Sequence, residues 1–557
     1  MALVHRINSN FGFVSNTLYC KCMINIKSFV TEHNFIRYSK KTGANKPMNY
    51  ESFEQMLNFR QNEAKRCILV KLYETRHISE LEKFCNFYAN VVNIFPYSTV
   101  NNDSFVLMEL KSADEVTKFR SLAAFKGDLE QARSVSPLFT FRPWRKLYSN
   151  ELRNNINMYA KFQAPKPREI KKLLERVDSV SDQMISLYNV LKITDLNIRL
   201  RFYTADLISY YISRLFSNIQ LVPFGSSVNG FGQIGCDLDL LCKVVPVTNK
   251  KSYWKKFCFI SQDFPVVERN EQKELLEVLG AVMKMCIPGL VDIKKILEAR
   301  VPIIKFCNLY TNMKCDLSST NTIALQMSEL LYIYGQLDWR IRPLVCTIRK
   351  WARYMNLTKE HPGQWITNFS LTLLIIFYLQ TRDILPSVNA IRCFVDLSKN
   401  INKATDPDFN WFVSWKKSIK RTNDESLHNL LLNFFEYYSI FDFKMQAICI
   451  RDGKIKQKND LSPLYIYNPF DATLNVSKNV TLVELKRLVD NFQKAFTIML
   501  NSAEGDIIWK LFNLESITKE TNCTFNNQKT QIGLEEKLFP TITNINDLKK
   551  IQGNIIK

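Results

Sequence analysis

Histidine is scarce in this chain, five in 557 residues, and His5, His33, His77, His361 and His428 lie too far apart to share a metal. Zinc held by imidazole is therefore not implied. The 14 cysteines include one C-x-C, Cys20 and Cys22, but no C-x-x-C, which removes the zinc ribbon and the redox dithiol and leaves reduced, buried thiols. Only 15 Gly and 18 Pro are present, against 46% hydrophobic and 12% aromatic residues, so collagen-like and largely disordered classes are excluded. Long apolar runs are missing too. The longest, Phe369 to Leu379, is broken by Ser370 and Thr372 and falls short of the ~20 residues a bilayer requires. No membrane span is expected.

Acid is absent from the first 31 residues, where Arg6, Lys21 and Lys27 sit among Ser, Asn and apolar residues. That is transit-peptide composition, and Arg37-Tyr38-Ser39 resembles a processing site. Residues 1–38 are read as a mitochondrial transit peptide and the mature protein as a matrix protein. Over the whole chain Lys and Arg outnumber Asp and Glu by 75 to 53, a net +22 that points to a polyanionic partner, nucleic acid first.

The length implies two to four domains. From 60 to 145 the pattern reads strand, helix, strand, strand, helix, strand. This βαββαβ order resembles an RNA-recognition-motif domain. The string Phe105-Val106-Leu107-Met108-Glu109-Leu110, however, lacks the glycines and aromatics of a base-stacking strand. A protein contact, including a homodimer through this domain, is the expected role. Ala164-Pro165-Lys166-Pro167-Arg168 marks a boundary. Helical periodicity covers 168–195 and 324–512, flanking a strand-bearing segment at 196–323. Residues 513–557, rich in Asn, Thr and Lys, read as a loosely ordered tail.

The most informative string runs from Phe224 through Gly225, Ser226, Gly230, Gly232, Gly235 and Cys236 to Asp237, Leu238, Asp239 and Leu240. Gly230-x-Gly232-x-x-Gly235 is formally a dinucleotide fingerprint, but that motif must open a helix, and here a strand-like CDLDLL follows. On a strand, Asp237 and Asp239 share one face while Leu238 and Leu240 take the other. Paired carboxylates repel unless a cation neutralises them, and an all-oxygen site suits Mg²⁺. The Gly225-Ser226 turn offers backbone N–H groups and a hydroxyl to phosphates.

Gly-Ser followed by Asp-x-Asp resembles the DNA polymerase β-like RNA terminal nucleotidyltransferases. Arg342 to Arg353 and the WITNFSLT string at 365–372 are similar to the central domain of that family, and most similar to its mitochondrial poly(A) polymerases. The resemblance implies an α+β fold: a polymerase β-like palm, a mostly helical central domain and the N-terminal RRM-like domain. It implies a third carboxylate, Asp316, completing a Mg²⁺ site (Mn²⁺ being an alternative) with Asp237 and Asp239. It places Arg349 and Arg353 on phosphates, Phe369 against the incoming base, and Asn321 and Ser328 at sugar and base. The implied reaction is template-independent transfer of AMP from ATP to RNA 3′ ends with release of pyrophosphate. Tyr467 to Asp471 and Asn475 to Val480 resemble the nucleotide-recognition loop of the family, and they contain no histidine, which leans toward ATP over UTP. A uridylyltransferase, a CCA-adding enzyme and a silent RNA-binding scaffold are the alternatives.

Overall fold

The computed structural model describes residues 19–20, 52–73, 77–122, 138–141, 164–213, 215–216, 219–244, 269–319, 322–361, 363–393 and 423–513. The expected transit peptide, apart from a two-residue strand Tyr19–Cys20, lies outside them, as do Asn321 and the tail beyond Asn513.

Helix α1, Phe53–Lys65, opens on a Ser52 capping box with Gln55, which satisfies two N-terminal donors reciprocally. It precedes the N-terminal sheet, whose strands are β1 Cys67–Leu72, β2 Val91–Ser98, β3 Ser104–Leu110 and β4 Leu138–Phe141. Helices α2, Ile78–Tyr88, and α3, Ala113–Leu122, complete the unit. The elements follow the expected order, and the sheet runs β4-β1-β3-β2, with Tyr19–Cys20 beside β4. One departure stands out: β4 is parallel to β1 while β3 is antiparallel to it, so β3 and β4 oppose each other. A simple βαβ crossover would make them parallel.

Strand β1 is apolar on both faces for a reason. Ile68, Val70 and Leu72 pack under α2 and α3, whereas Cys67 and Leu69, with Tyr97, Phe105 and Leu107, enter a second core shared with the next domain. Tyr97 Oη donates to the Tyr310 carbonyl at 2.7 Å. The sheet face on which an RNA-recognition motif stacks bases is thus covered by the chain's own palm.

Two short helices, α4 Pro167–Leu174 and α5 Val180–Leu191, lead to α6, Asp195–Ile212, capped by Thr194. Residues on every side of α6 are buried, because it is wedged between α1, the N-terminal sheet and the palm sheet. The palm strands are β5 Ile219–Phe224, β6 Leu238–Val244, β7 Leu290–Ile296, β8 Ile303–Asn308 and β9 Met313–Ser318. Their order is β5-β6-β9-β8-β7, with β6 and β9 parallel and the other pairs antiparallel. Alternation puts Leu238, Leu240, Cys315, Leu317, Ile304 and Phe306 into the core under α6 and α7, Arg269–Cys286.

The remaining core is helical. It joins Ile170 to Leu191 with α8 Thr322–Leu337, α9 Ile341–Tyr354, α10 Asn368–Thr381, α11 Leu427–Ser439, α12 Leu482–Asn501 and α13 Ile507–Phe512. Its centre is aromatic: Trp351 lies 4.8 Å from Phe435 and 5.5 Å from Phe492, centroid to centroid. Among the described residues no helix is long and apolar enough to cross a membrane.

Candidate active site

The palm and the helical core meet at a cleft of about 820 Å³, lined among others by Gly225, Ser226, Asp239, Arg349, Lys350 and Phe369. Its floor is the loop between β5 and β6. Gly225 adopts φ +67°, and a Cβ there would meet Asp239 Oδ2 at 2.5 Å, so only glycine lets the loop lie against the carboxylate. Gly232 is needed for another reason, since a Cβ would come within 2.4 Å of the Ser226 carbonyl. The chain then enters β6, not a helix, which removes the dinucleotide reading.

Arg201 of α6 ties both ends of this loop. Its guanidinium donates to Ser227 Oγ at 2.7 Å, the Cys236 carbonyl at 2.6 Å and the Asp237 carbonyl at 3.0 Å. Asp237 therefore stands just before the strand rather than in it, because its carbonyl is taken by Arg201 and not by a ladder partner. It is exposed, whereas Asp239 is half-buried in the floor.

Asp239 pairs directly with Asp316 across the parallel β6·β9 ladder, which brings the third carboxylate beside the first two. Burial, then the charges of Asp316 and Asp237, push the Asp239 carboxyl up to about 7. Burial and then Asp316 also raise Asp237, opposed by Lys305, Lys314 and Arg201. Lys305 Nζ lies 2.7 Å from Asp316 Oδ2. Among the described residues no set of three His, Cys, Asp or Glu is drawn together to hold a metal as it stands. The donor set itself, three neighbouring carboxylates of which Asp237 and Asp239 are raised by the charge of Asp316, fits a hard divalent cation.

The opposite wall is cationic. Arg349 donates from Nε to Thr372 Oγ1 at 2.9 Å and from Nη1 to the Phe231 carbonyl at 3.0 Å, both neutral acceptors. Burial pulls its guanidinium down to about 10. Burial, and after it Arg353, lower Lys350 as well. Arg353 differs, being exposed and paired with Glu360 at 2.6 Å. No carboxylate pairs with Arg349 or Lys350 among the described residues, so this wall is short of an anion. Ser328, expected at sugar and base, lines the cleft, but its hydroxyl accepts from the Gly225 N–H at 2.7 Å and donates to the Ala324 carbonyl. It holds the loop. Phe369 opens α10 half-exposed in the cleft, and Asn468 of the expected nucleotide-recognition loop reaches the same cavity.

A family model described as the central palm domain of mitochondrial-like poly(A) RNA polymerase matches residues 180–336, and one for Cid1 family poly(A) polymerases matches 426–474. The chain is 32% identical over 538 residues to the mitochondrial poly(A) RNA polymerase of Homo sapiens, covering 93% of this chain and 89% of the relative. The chain belongs to the mitochondrial poly(A) RNA polymerase family. The Drosophila melanogaster member is 31% identical over 82% of this chain and 77% of the relative. A crystal structure of mtPAP in complex with ATPγS superposes with a TM-score of 0.72 at 31% identity, covering 83% of this chain and 97% of that one. Apo mtPAP gives 0.73 at 31% identity, again over 83% and 97%.

In this poly(A) polymerase family member the fold is therefore the expected α+β palm with a helical companion, and the chain is a nucleotidyltransferase. Arg201, Lys305 and Lys350 are the site residues that sequence reasoning passed over. Arg201 left no clear trace, since α6 mixes polar and apolar residues, and only its packing shows that this arginine is buried and needs acceptors. Lys305 left none, because only the β8·β9 register sets it opposite Asp316.

Proposed function

We propose that this chain adds AMP from ATP to RNA 3′ ends without a template, in mitochondria and in the matrix compartment. The convergence of Asp237, Asp239 and Asp316 opposite Arg349 and Lys350, which have no carboxylate partner among the described residues, carries the reading. Family membership supports AMP transfer, and the relatives' mitochondrial names support the compartment, with the acid-free first 31 residues as the import signal.

The RNA 3′-hydroxyl attacks the ATP α-phosphorus, the bond to the β-phosphate bridging oxygen breaks, and pyrophosphate leaves. Asp237, Asp239 and Asp316 would hold Mg²⁺. Bound there, two such ions stabilise the attacking and leaving oxygens. Ser226 and the Gly225 turn, with Arg349, Lys350 and Arg353, fix the triphosphate and so align the phosphorus. Asp316 is assigned the proton of the 3′-hydroxyl. Phe369 supplies a face for the base, a contact of ~1–3 kcal/mol in single-strand binders. Asn321 is proposed at the sugar from the family pattern. A homodimer through the N-terminal domain would use the edge of β2, the outermost strand among the described residues, with exposed Val92 on it and exposed Phe87 at the end of the preceding helix.

Extension of a labelled RNA primer with each NTP separately tests the reading. Binding alone does not discriminate, since mtPAP has also been crystallised with UTP, GTP and CTP. The expected result is ATP-dependent extension lost in Asp237→Ala and Asp239→Ala. Preference for UTP, or undiminished extension by either variant, overturns it.

A further inference from the structure

From the carboxylates of the site a row of charges runs on across the outer face of the palm sheet, and its lysines are not used in holding the triphosphate. Asp239 pairs with Asp316, Asp316 with Lys305, and Lys305 with Lys294, across four adjacent strands. Directly paired residues point to the same face, so the row is continuous from the carboxylates to β7, the outermost strand among the described residues. Lys314, two residues before Asp316, shares that face by alternation and is exposed.

These lysines are not ordinary paired surface charges. Lys295, on the opposite face, reaches Glu277 at 3.3 Å, and Lys273 reaches Glu298 at 2.7 Å. Lys294 and Lys314 make no ion pair among the described residues, and the sole ion-pair partner of Lys305 there is Asp316. Like charges set directly opposite each other on a sheet destabilise it, so the Lys294–Lys305 pairing is a cost that an overlying polyanion would relieve.

Position supplies the direction. The sheet order places the Gly225-Ser226 loop on the β5–β6 side of the carboxylates and the lysines on the β8–β7 side. In-line displacement requires the attacking and leaving oxygens on opposite sides of the phosphorus. With pyrophosphate leaving toward the loop and Arg349, the 3′-hydroxyl must come from the lysine side.

We propose that the outer face of β9, β8 and β7 is the track for the 3′-terminal nucleotides of the RNA, with Lys294, Lys305 and Lys314 contacting their phosphates. This assignment of the acceptor subsite rests on the nucleotidyl-transfer reading above. Lys305 bears on Asp316 and the charge of Lys314 on Asp237, so turnover is read in Lys294→Ala and RNA binding in the double variant.

In the Lys294→Ala/Lys314→Ala enzyme the KM for a single-stranded RNA primer rises about tenfold, and in Lys294→Ala alone it rises severalfold while the KM for ATP and kcat at saturating primer stay within about twofold. The slope of log Kd for that RNA against log salt becomes shallower by about 1.4, about 0.7 for each phosphate contact removed. The Lys294→Arg/Lys314→Arg enzyme keeps the wild-type slope. An unchanged primer KM and slope in the alanine variant overturns the track, as does an arginine variant as impaired as the alanine one. The slope needs no ATP. Failure of the wild type to extend RNA would therefore sink the transfer reading alone, while an unaltered slope would sink the track alone.

Discussion

Arg199→Met should loosen the joint between the N-terminal domain and the palm. Arg199, 9% exposed, reaches Glu63 at 2.8 Å, Glu109 at 3.0 Å and Asp195 at 2.7 Å, and its guanidinium lies 4.7 Å from the Phe95 ring centroid. Arg60 and Arg66 complete the cluster, so three cations face three carboxylates. Burial pushes Glu63 up even against Arg60 and Arg199. Removing one partner of a buried pair costs ~3–5 kcal/mol. Glu63 keeps Arg60 and Glu109 keeps Arg66, which sets the loss near the lower end, ~3 kcal/mol. For a unit of this size that lowers the transition by about 6–12 °C. Arg199→Met/Glu109→Gln restores charge balance and should recover most of the shift, a coupling that calorimetry on the full chain reads directly. The sign with pH follows from Glu63. Its folded-state pKa is raised, so the charged form penalises the fold increasingly as pH rises above its unfolded value, and the variant's deficit shrinks toward pH 5. A shift under about 2 °C, or a double variant no better than Arg199→Met, would refute the clamp.

Asp239 gives a second pH prediction. Raised to about 7, it keeps a proton that the unfolded chain has released, so the metal-free fold loses stability as pH climbs from about 4 to about 7. A divalent cation requires the carboxylate, so the rise in Tm produced by Mg²⁺ should grow between pH 6 and pH 8 and vanish in Asp239→Asn. Equal rises at both pH values count against it. Arg349→Met separates activity from stability: kcat/KM for ATP falls about 10²-fold or more, while Tm holds or rises because a desolvated cation with no carboxylate partner among the described residues is removed. A large drop in Tm would mean that Arg349 is structural. Gly225→Ala, with φ +67° and Asp239 Oδ2 at 2.5 Å from the new methyl, should abolish primer extension while far-UV circular dichroism is unchanged. Retained extension would show that the loop need not lie against Asp239.

Much of the fold was legible because its strands are short apolar or alternating runs and its helices carry apolar faces. Cys67 to Leu72, Phe105 to Leu110, Ile219 to Phe224 and Met313 to Ser318 are strands for that reason. Helix Arg269–Cys286 and strand Leu290–Ile296 were missed. The strand exposes Asp292, Lys294, Lys295 and Ile296 at a sheet edge, and a bulge between Val291 and Lys294 breaks its period. Helix Phe53–Lys65 was also passed over, since it belongs by packing to the palm side through Phe53, Met56 and Leu57 while preceding the N-terminal sheet in sequence. At the site, the Gly-rich loop and Asp-x-Asp are local patterns and could be read. Asp316, Lys305 and Lys294 form one row only through strand register, which no local pattern encodes.

Helix α6 explains why the N-terminal domain is not a detachable tether. Arg199 and Arg201 are two positions apart, about 200° around a helix, so one serves the clamp to Glu63 and Glu109 while the other staples Ser227, Cys236 and Asp237. The same helix lends Leu200 and Tyr203 to a core that contains Leu69, Tyr97 and Phe105 of the N-terminal sheet and Leu238 and Leu240 of the palm. Deleting residues 60–145 would therefore bare that shared core and free the helix that positions the catalytic loop. Loss of activity in such a deletion could not be charged to loss of a dimer. Polar substitutions at Phe87 and Val92, both exposed and outside the shared core, separate the two roles: a dimer through the β2 edge dissociates while the loop stays stapled.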